Sequence, residues 1–231
     1  GAEPLIAMGQ DTTGHWWAVT SPFSKRYSMI IDGKRGIDGD SLSQPIFSPM
    51  GDRFAYPLLR NGVWFLYTND TVIPLGAGKP GTMTFSRFGA FAYSVIEGQS
   101  EKLYIMRDGE RSTHQLFNRS GGIHLSFDGS NWAYASKNAS GLVVMLNEEE
   151  IGRYEECTIA GFMFDNALIH AGKQGDIWRL LKNAEQLLSA PYIQHVQVNQ
   201  SGNAIACSYG MGTRMMGYLY TPDFIQPLET T

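Results

Sequence analysis

Several features that identify common function classes are scarce or missing in this sequence. It has only two cysteines, Cys157 and Cys207, and neither lies in a CxxC or histidine-rich spacing, so no disulfide framework and no structural zinc site is predicted. No apolar run approaches the roughly 20 residues that span a bilayer, so we expect a soluble chain with no membrane-spanning segment. The net charge is −4 with 18 Lys and Arg residues, a balance that argues against nucleic acid as a partner.

Motifs of catalysis are missing too. The sequence contains no GxSxG, the nucleophile turn of α/β-hydrolases. The glycine-rich stretch GMGTRMMG at 210–217 lies between two apolar runs and no helix follows it, so it does not predict a phosphate-binding loop. We therefore predict no catalytic residue, no metal ligand and no cofactor.

The sequence does contain a regular repeat. A short apolar segment centred on alanine recurs at Ala18, Ala55, Ala92, Ala133 and Ala206. His170 takes the equivalent place in NALIHAG, so that successive steps are 36 to 41 residues. A turn glycine precedes these segments, with Asn166 in its place in the fifth unit, and both residue types accept a positive φ at low cost. Six units account for the chain.

Each unit contains four short β-type segments and no helical period. The alanine segment follows a strand that ends at the turn glycine, and it precedes a second apolar run and a shorter polar segment. Four strands in about 38 residues, repeated six times, predict an all-β fold: a six-bladed β-propeller of four-stranded antiparallel blades, in a single domain over residues 1–231. Five or seven blades are the alternative if one unit is misread. A sandwich would not repeat one motif at near-constant spacing.

Two stretches resemble the WD-like repeats of TolB-type six-bladed propellers. IFSPMGDRFAYPLLRNGVWFLY at 46–67 and LSFDGSNWAYASKN at 125–138 are similar to that group's pattern of Ser-Pro-Asp-Gly followed by a hydrophobic-Ala-Tyr strand. The chain departs from the pattern at Met50 and at Arg87-Phe88, and the fifth unit lacks the turn motif. The resemblance implies a scaffold that binds a protein or peptide partner, in the periplasm or secreted. The opening GAEPL has no signal peptide, as in an exported chain after cleavage.

The strand before each turn glycine is predicted to be the inner strand of its blade, and each blade is predicted to be contiguous in sequence. Residues of these strands alternate between an apolar and a more polar series. The apolar series predicts core positions at Pro45, Phe47, Met83, Phe85, Ile123, Leu125, Val196 and Val198. The polar series predicts the residues that line a central channel, namely Gln44, Thr82, Thr84, His124, His195 and Gln197.

Two function hypotheses follow. The first is a non-catalytic scaffold that binds a protein or peptide on one propeller face or at the channel. The alternative is a small propeller enzyme, a lyase or hydrolase, with a channel-mouth site around His124 and His195. We favour the scaffold, because buried polar groups need partners and water commonly fills that role in propeller channels. The sequence predicts no oligomeric state.

Overall fold

The computed structural model describes residues 3–23, 25–69, 71–221 and 224–228. The regular elements in these ranges are β-strands, and no helix there has the length and apolarity that a membrane crossing requires. The chain divides into two compact units, unit 1 over residues 1–115 and unit 2 over residues 116–231. The described residues form six sheets, three in each unit. The last residue of the third sheet, Leu116, is already counted in unit 2.

Unit 1 contains strands β1 to β13. Sheet 1 consists of β1 to β4, at Leu5–Gln10, Trp16–Phe23, Arg26–Ile31 and Lys34–Arg35. Sheet 2 consists of β5 to β9, at Ser41–Leu42, Ile46–Phe47, Phe54–Arg60, Val63–Thr68 and Val72–Pro74. Sheet 3 consists of β10 to β13, at Lys79–Phe85, Phe91–Glu97, Ser100–Arg107 and Glu110–Leu116. Because β5 and β6 both pair with β7, they form one first strand that is interrupted at residues 43–45.

Unit 2 contains strands β14 to β25. Sheet 4 consists of β14 to β17, at Arg119–Leu125, Trp132–Asn138, Gly141–Leu146 and Glu149–Tyr154. Sheet 5 consists of β18 to β21, at Glu156–Phe162, Leu168–Gln174, Ile177–Lys182 and Glu185–Ala190. Sheet 6 consists of β22 to β25, at Tyr192–Val198, Ile205–Met211, Arg214–Thr221 and Phe224–Leu228.

Strands follow one another in chain order within every sheet, and neighbouring strands are antiparallel. Each sheet is therefore made from one continuous segment, as predicted, and no sheet of the described residues takes a strand from elsewhere in the chain. Hairpin connections are sufficient for this topology, which explains the regular spacing of turn residues in the sequence.

The strand registers reproduce the sequence repeat. In five sheets the repeated alanine pairs with an equivalent residue of the first strand, as in Ala18 with Met8, Ala55 with Ile46, Ala92 with Thr84, Ala133 with His124 and Ala206 with Gln197. In sheet 5, His170 pairs with Ile159 at the same place. The turn residue Asn166 has a φ of 62°, within the left-handed region predicted for it. The fifth unit is therefore a true member of the repeat.

A β-bulge interrupts the first strand of most sheets. Pro80 pairs with Val95 and Met83 with Tyr93, so three steps along β10 face two along β11. Similar register shifts occur in β1, β14, β18 and β22. An extra residue turns the side chains that follow it to the other face of the strand. The prediction that a period of two holds along these strands is therefore wrong at the bulges.

The core of each unit lies between successive sheets. In unit 1, Met29 and Ile31 of sheet 1 pack with Tyr56 and Leu58 of sheet 2, and another cluster joins sheets 2 and 3. In unit 2, two clusters join sheet 4 to sheet 5 and sheet 5 to sheet 6. Of the predicted core residues, Ile123 is buried and the others are half-buried.

Candidate binding site

The six predicted channel residues occupy two kinds of position on the first strands. Three lie in a bulge or an interruption, namely Gln44, Thr82 and His195. Three lie opposite repeated alanines, namely Thr84, His124 and Gln197. Bulges re-aim side chains and are common beside functional sites. The first strands therefore present polar groups at two recurring places, which the simple alternation did not distinguish.

His124 lines a cavity of about 250 Å³ in unit 2, termed the glycine cavity. Its lining consists of Ser120, Gly121, Gly122, His124, Ala135, Leu142, Cys157, Thr158 and Ile159. None of the other five predicted residues borders this cavity in the part of the chain that the structure describes. His195 is exposed and has a φ of 52°. The two histidines are therefore not brought together in the glycine cavity.

The chemistry of the glycine cavity is that of neutral groups. Burial lowers the pKa of His124 below its usual value, so the imidazole is uncharged near pH 7. Burial raises the pKa of Cys157 to about 11, so the thiol stays protonated. The lining thus lacks a thiolate, the form of cysteine that acts as a nucleophile. Among the described residues, no group of three or more His, Cys, Asp or Glu side chains is placed to hold a metal ion.

A second cavity, of about 290 Å³, lies between sheets 1 and 2 within unit 1, and no sequence pattern predicted it. It is termed the aromatic pocket. Three half-buried rings, those of Phe47, Phe54 and Tyr67, form its apolar wall together with Met29 and Ile31. The other lining residues are polar or glycine, namely His15, Asp32, Lys34, Arg35, Gly36, Gly51, Asp52, Tyr56 and Asn69.

The rings of the aromatic pocket stack on one another. The ring centres of Tyr56 and Tyr67 are 5.0 Å apart, and those of Phe54 and Tyr56 are 6.2 Å apart. His15 stacks on Phe47 with the ring centres 5.5 Å apart. Such pairs are each worth about 0.5–1.5 kcal/mol beyond their buried area. The wall of the pocket is therefore preformed.

His15 links two turns at the rim of this pocket. Its Nδ1 atom is 2.5 Å from an Oδ2 atom of Asp32. The hydrogen bond to Asp32 raises the pKa of His15, and the backbone of Gly51 adds to the effect. The same bond lowers the pKa of Asp32. His15 therefore bridges the turns of sheets 1 and 2 through Asp32 and the backbone of Gly51.

Two other polar groups of the aromatic pocket, Arg35 and Asp52, also have protein partners, whereas one buried hydroxyl has none among the described residues. Arg35 forms an ion pair with Glu3, and Asp52 accepts a hydrogen bond from the Ser48 hydroxyl at 2.7 Å. The buried hydroxyl of Tyr56 has no hydrogen-bond partner among the described residues. Burial raises the pKa of Tyr56, so this hydroxyl stays neutral.

The turn between the first and second strands is built in a similar way in several sheets. The buried hydroxyl oxygens of Ser48, Ser86 and Ser126 accept hydrogen bonds from backbone N–H groups across the turn, at 2.9 to 3.1 Å. In sheet 5, where the turn motif is lost, the Asp165 carboxylate accepts from the N–H of Ala167 at 3.1 Å. The serine of the repeat therefore has a structural role in holding the turn closed.

Successive turns of this kind adjoin one another in unit 1. The guanidinium of Arg53, in the turn of sheet 2, donates to the carbonyl of Gly89 in the turn of sheet 3. His15, in the turn of sheet 1, interacts with the backbone of Gly51 in the turn of sheet 2. These three turns together are termed the turn face of unit 1, at residues 11–15, 48–53 and 86–90.

Unit 2 has an equivalent turn face. The side-chain amide of Asn166 donates to the Asp128 carboxylate at 3.1 Å, which joins the turns of sheets 4 and 5. The N–H of Phe164 donates to the carbonyl of Gly202 at 2.8 Å, which joins the turns of sheets 5 and 6. The turn face of unit 2 is made of residues 126–131, 163–167 and 199–204.

Large apolar side chains are exposed on both turn faces. Met50 and Phe88 are 63% and 60% exposed in unit 1, and Phe164 is 61% exposed in unit 2. Phe127 packs edge-to-face on Phe164, with the ring centres 5.8 Å apart. Met50 and Phe88 stand where the TolB-type pattern has an aspartate. The departures from that pattern therefore replace a charged group by an exposed apolar one.

Comparison with known proteins identifies the fold class. No protein-family model matches the chain, and no curated protein matches it. Among solved structures, the β-propeller domain of the trilobed protease from Pyrococcus furiosus is similar, with a TM-score of 0.52, 8% identity and coverage of 99% of this chain and 84% of that one. The Dos1 propeller is similar with a TM-score of 0.53, 10% identity and coverage of 99% and 69%.

TolB from Acinetobacter baumannii also matches, with a TM-score of 0.44, 14% identity and coverage of 89% of this chain. This chain spans only 59% of that TolB. At these identities the similarities show the fold, and the fold is an all-β propeller, as predicted. The six-blade count and the single domain over residues 1–231 remain predictions.

Proposed function

We propose that this protein is a non-catalytic binding scaffold whose turn faces dock a protein or peptide partner. The proposal depends most on one observation, the exposure of Met50 and Phe88 on the turn face of unit 1 and of Phe164 on the turn face of unit 2. Clusters of exposed apolar side chains mark interaction sites, and methionine and aromatic residues are enriched at interfaces. A partner that covers these side chains removes apolar surface from water.

The remaining predictions about binding are proposals of the same kind. The first-strand residues Gln44, Thr82, Thr84, His124, His195 and Gln197 are proposed to line a central channel, and binding of a partner on the turn faces does not depend on them. A periplasmic or secreted location is proposed from the resemblance of 46–67 and 125–138 to TolB-type repeats. The enzyme alternative around His124 and His195 has less support, because His195 does not border the cavity that His124 lines.

The test measures binding of an isolated partner to turn-face variants. The partner is first identified by cross-linking and affinity purification from the source organism, and is then purified. We expect Phe88→Glu and Phe164→Glu each to weaken its affinity by about tenfold or more, as for residues at the centre of an interface. Both side chains are more than half exposed, so both variants are expected to fold.

Two controls distinguish the turn faces from other surfaces. Met211, 58% exposed at the end of β23, lies outside both turn faces, and Met211→Glu should leave the affinity unchanged. The double variant His124→Ala with His195→Ala should do the same. The proposal is contradicted if the turn-face variants bind as tightly as the wild type, or if only the double histidine variant loses the partner.

A further inference from the structure

One position of the repeat is filled in several sheets and open in sheet 4. It lies on the second strand, two residues after the repeated alanine. In sheets 1, 3 and 6 it carries a hydroxyl, at Thr20, Ser94 and Ser208, and each hydroxyl bonds to a group in or just before the first strand. In sheet 5 the position is Gly172, and the ring of Tyr154 occupies the space that a side chain would take there.

Sheet 3 shows what the filled position supplies. The Ser94 hydroxyl accepts a hydrogen bond from the N–H of Thr82, in the bulge of the first strand, at 2.9 Å. It donates to the Glu101 carboxylate at 2.6 Å. A Cβ atom at Gly81 would clash with the same hydroxyl oxygen, so no space is left beside the bulge. One hydroxyl therefore fills the gap at the bulge and pairs with its backbone.

Sheet 4 has neither side chain of this pair. Ala135 stands where sheet 3 has Ser94, and Leu142 stands where it has Glu101. The bulge of sheet 4 is the dipeptide Gly121-Gly122, and nothing lies within 4 Å of a Cβ atom built at either glycine. These residues of sheet 4 all line the glycine cavity. The cavity therefore occupies the place that a hydroxyl fills in sheet 3.

His124 offers an available hydrogen-bonding group to this space. Burial alone lowers its pKa, and neither a hydrogen bond nor a charged group contributes to the shift. The imidazole is therefore neutral and has no hydrogen-bond partner among the described residues. The enclosed side-chain atoms that lack a partner belong to Tyr56, Asn166 and His170 and not to His124, so a ligand in the cavity can reach its ring.

The lining contains no charge that would attract an ion. Its described residues include no Asp, Glu, Lys or Arg, and the neighbouring Arg119 guanidinium donates to the carbonyl of Gly121. An ion in the cavity would lose its hydration without gaining an opposite charge. A neutral imidazole has one donor and one acceptor, and so does a hydroxyl. Leu142 and Ile159 add apolar surface, and 250 Å³ is the volume of about eight water molecules, enough for a small organic molecule.

We propose that the glycine cavity binds the hydroxyl group of a small neutral aliphatic ligand, which pairs with the His124 ring and takes the place that the Ser94 hydroxyl fills in sheet 3. The same chemistry is offered by a free alcohol and by a serine side chain of a peptide. This inference goes beyond the proposed function, because it does not require the turn faces to bind a partner.

The test compares three probes that share one hydrocarbon group, namely isobutanol, isobutylammonium and isobutyrate. Binding to the full chain is followed by NMR through the methyl signals of Ile159, which lines the cavity. We expect isobutanol to bind about tenfold or more tightly than either ion, because the cavity compensates neither charge. In His124→Leu the affinity for isobutanol should fall about tenfold, the ratio expected from about one net hydrogen bond.

The controls use the equivalence of the repeats. Ala135→Ser supplies the hydroxyl from the chain itself, as Ser94 does in sheet 3, and should weaken isobutanol by about tenfold or more. Thr84 stands opposite the repeated alanine of sheet 3 as His124 does in sheet 4, and Thr84→Ala should leave the affinity unchanged. The proposal is overturned by equal binding of the three probes, by an isobutanol affinity that stays unchanged in His124→Leu or Ala135→Ser, or by no binding of isobutanol, the result for a cavity that holds only water.

A second pair of probes identifies the source of the hydroxyl. N-acetylserinamide and N-acetylalaninamide have an uncharged peptide backbone and differ by the hydroxyl alone. A preference for the serine probe that His124→Leu abolishes supports a peptide side chain as the ligand. Binding of isobutanol without binding of either amide supports a free alcohol, since the cavity then excludes a peptide backbone.

Discussion

The aromatic pocket of unit 1 and the glycine cavity of unit 2 have similar volumes, about 290 Å³ and 250 Å³, but different linings. The glycine cavity is lined by His124, which the sequence pattern predicted to be a channel residue. The aromatic pocket contains no residue of the predicted polar series, yet its wall is made of stacked rings. The two cavities therefore differ in the residues that form their walls, which are aromatic rings in one and mainly small residues in the other.

The largest effect is expected beside the glycine cavity, at His170, which pairs with the lining residue Ile159. His170 is fully buried, and its Nε2 atom is 3.0 Å from the Tyr154 hydroxyl. Burial lowers its pKa to about 4. Because the folded pKa lies below the unfolded value of about 6.5, stability is lost as the pH falls from about 6.5 to about 4, by roughly 3 kcal/mol.

His170→Gln keeps a hydrogen-bonding group near Tyr154 but does not titrate. Urea unfolding at pH 7 and pH 4 should show that the variant loses less free energy of unfolding than the wild type does over this interval. Equal losses in the two proteins would show that the pKa of His170 is the same in the folded protein as in the unfolded chain.

A matched pair of glycines breaks the comparison directly. Gly36 lines the aromatic pocket and Gly122 lines the glycine cavity, and only at Gly36 does a Cβ atom meet a side chain, that of Tyr56. We expect Gly36→Ala to lower the free energy of unfolding by about 1–3 kcal/mol through overpacking. Gly122→Ala should change it by less than about 1 kcal/mol, because nothing lies within 4 Å of the added carbon.

Urea unfolding of both glycine variants checks this prediction. A loss at Gly122 as large as that at Gly36 would mean that the glycine cavity is filled, and the contrast between the two linings would disappear.

Tyr56 and Tyr134, which are both buried and both follow the repeated alanine of their sheet, sharpen the comparison at a smaller scale. Tyr134→Phe removes the acceptor of the Phe117 N–H and should cost about 0.5–1.5 kcal/mol. Tyr56→Phe removes a hydroxyl that has no partner among the described residues, so the free energy of unfolding should stay equal or rise. Thermal or urea unfolding of the two variants tests this difference. A clear loss in Tyr56→Phe would reveal a protein partner for this hydroxyl.

The smallest effects are opposite pH dependences at His15 and His124. Asp32 raises the pKa of His15, so the pair stabilises the folded state below about pH 6.5. This stabilisation is lost as the pH rises through the pKa that His15 has in the folded state. Burial lowers the pKa of His124, so stability is instead lost as the pH falls below about 6.5.

Unfolding measured at pH 5.5 and pH 8.5 separates these signs. His15→Gln should destabilise more at pH 5.5, by about 1 kcal/mol or less for a partly exposed pair. The free energy of unfolding of His124→Gln, relative to that of the wild type, should be higher at pH 5.5 than at pH 8.5. The prediction is contradicted if the stability of both variants, relative to the wild type, changes in the same direction between the two pH values.

The repeat made much of the fold predictable from the sequence. The spacing of the alanines located the second strands, and His170 occupies the place of the missing alanine as predicted, paired in the structure with Ile159. The bulges were not predictable, because an extra residue in a first strand changes no apolar spacing outside it. That omission matters at His195, which lies in a bulge with a positive φ and is exposed, away from the cavity of His124.

The aromatic pocket could not be predicted for a different reason. His15 and Asp32 lie in turns of sheet 1, whereas Phe47 and Tyr67 lie on strands of sheet 2, and each alone has the pattern of a turn or core residue. In the sequence Tyr56 cannot be distinguished from Tyr93, since both follow Phe-Ala. The difference between them is the presence of a partner on a neighbouring strand, such as Arg111 for Tyr93.

The most direct measurement is the affinity of the purified partner for Phe88→Glu and Phe164→Glu, with Met211→Glu measured beside them. The account predicts that each turn-face variant loses about tenfold or more in affinity and that Met211→Glu loses none. Wild-type affinity in both turn-face variants would contradict it.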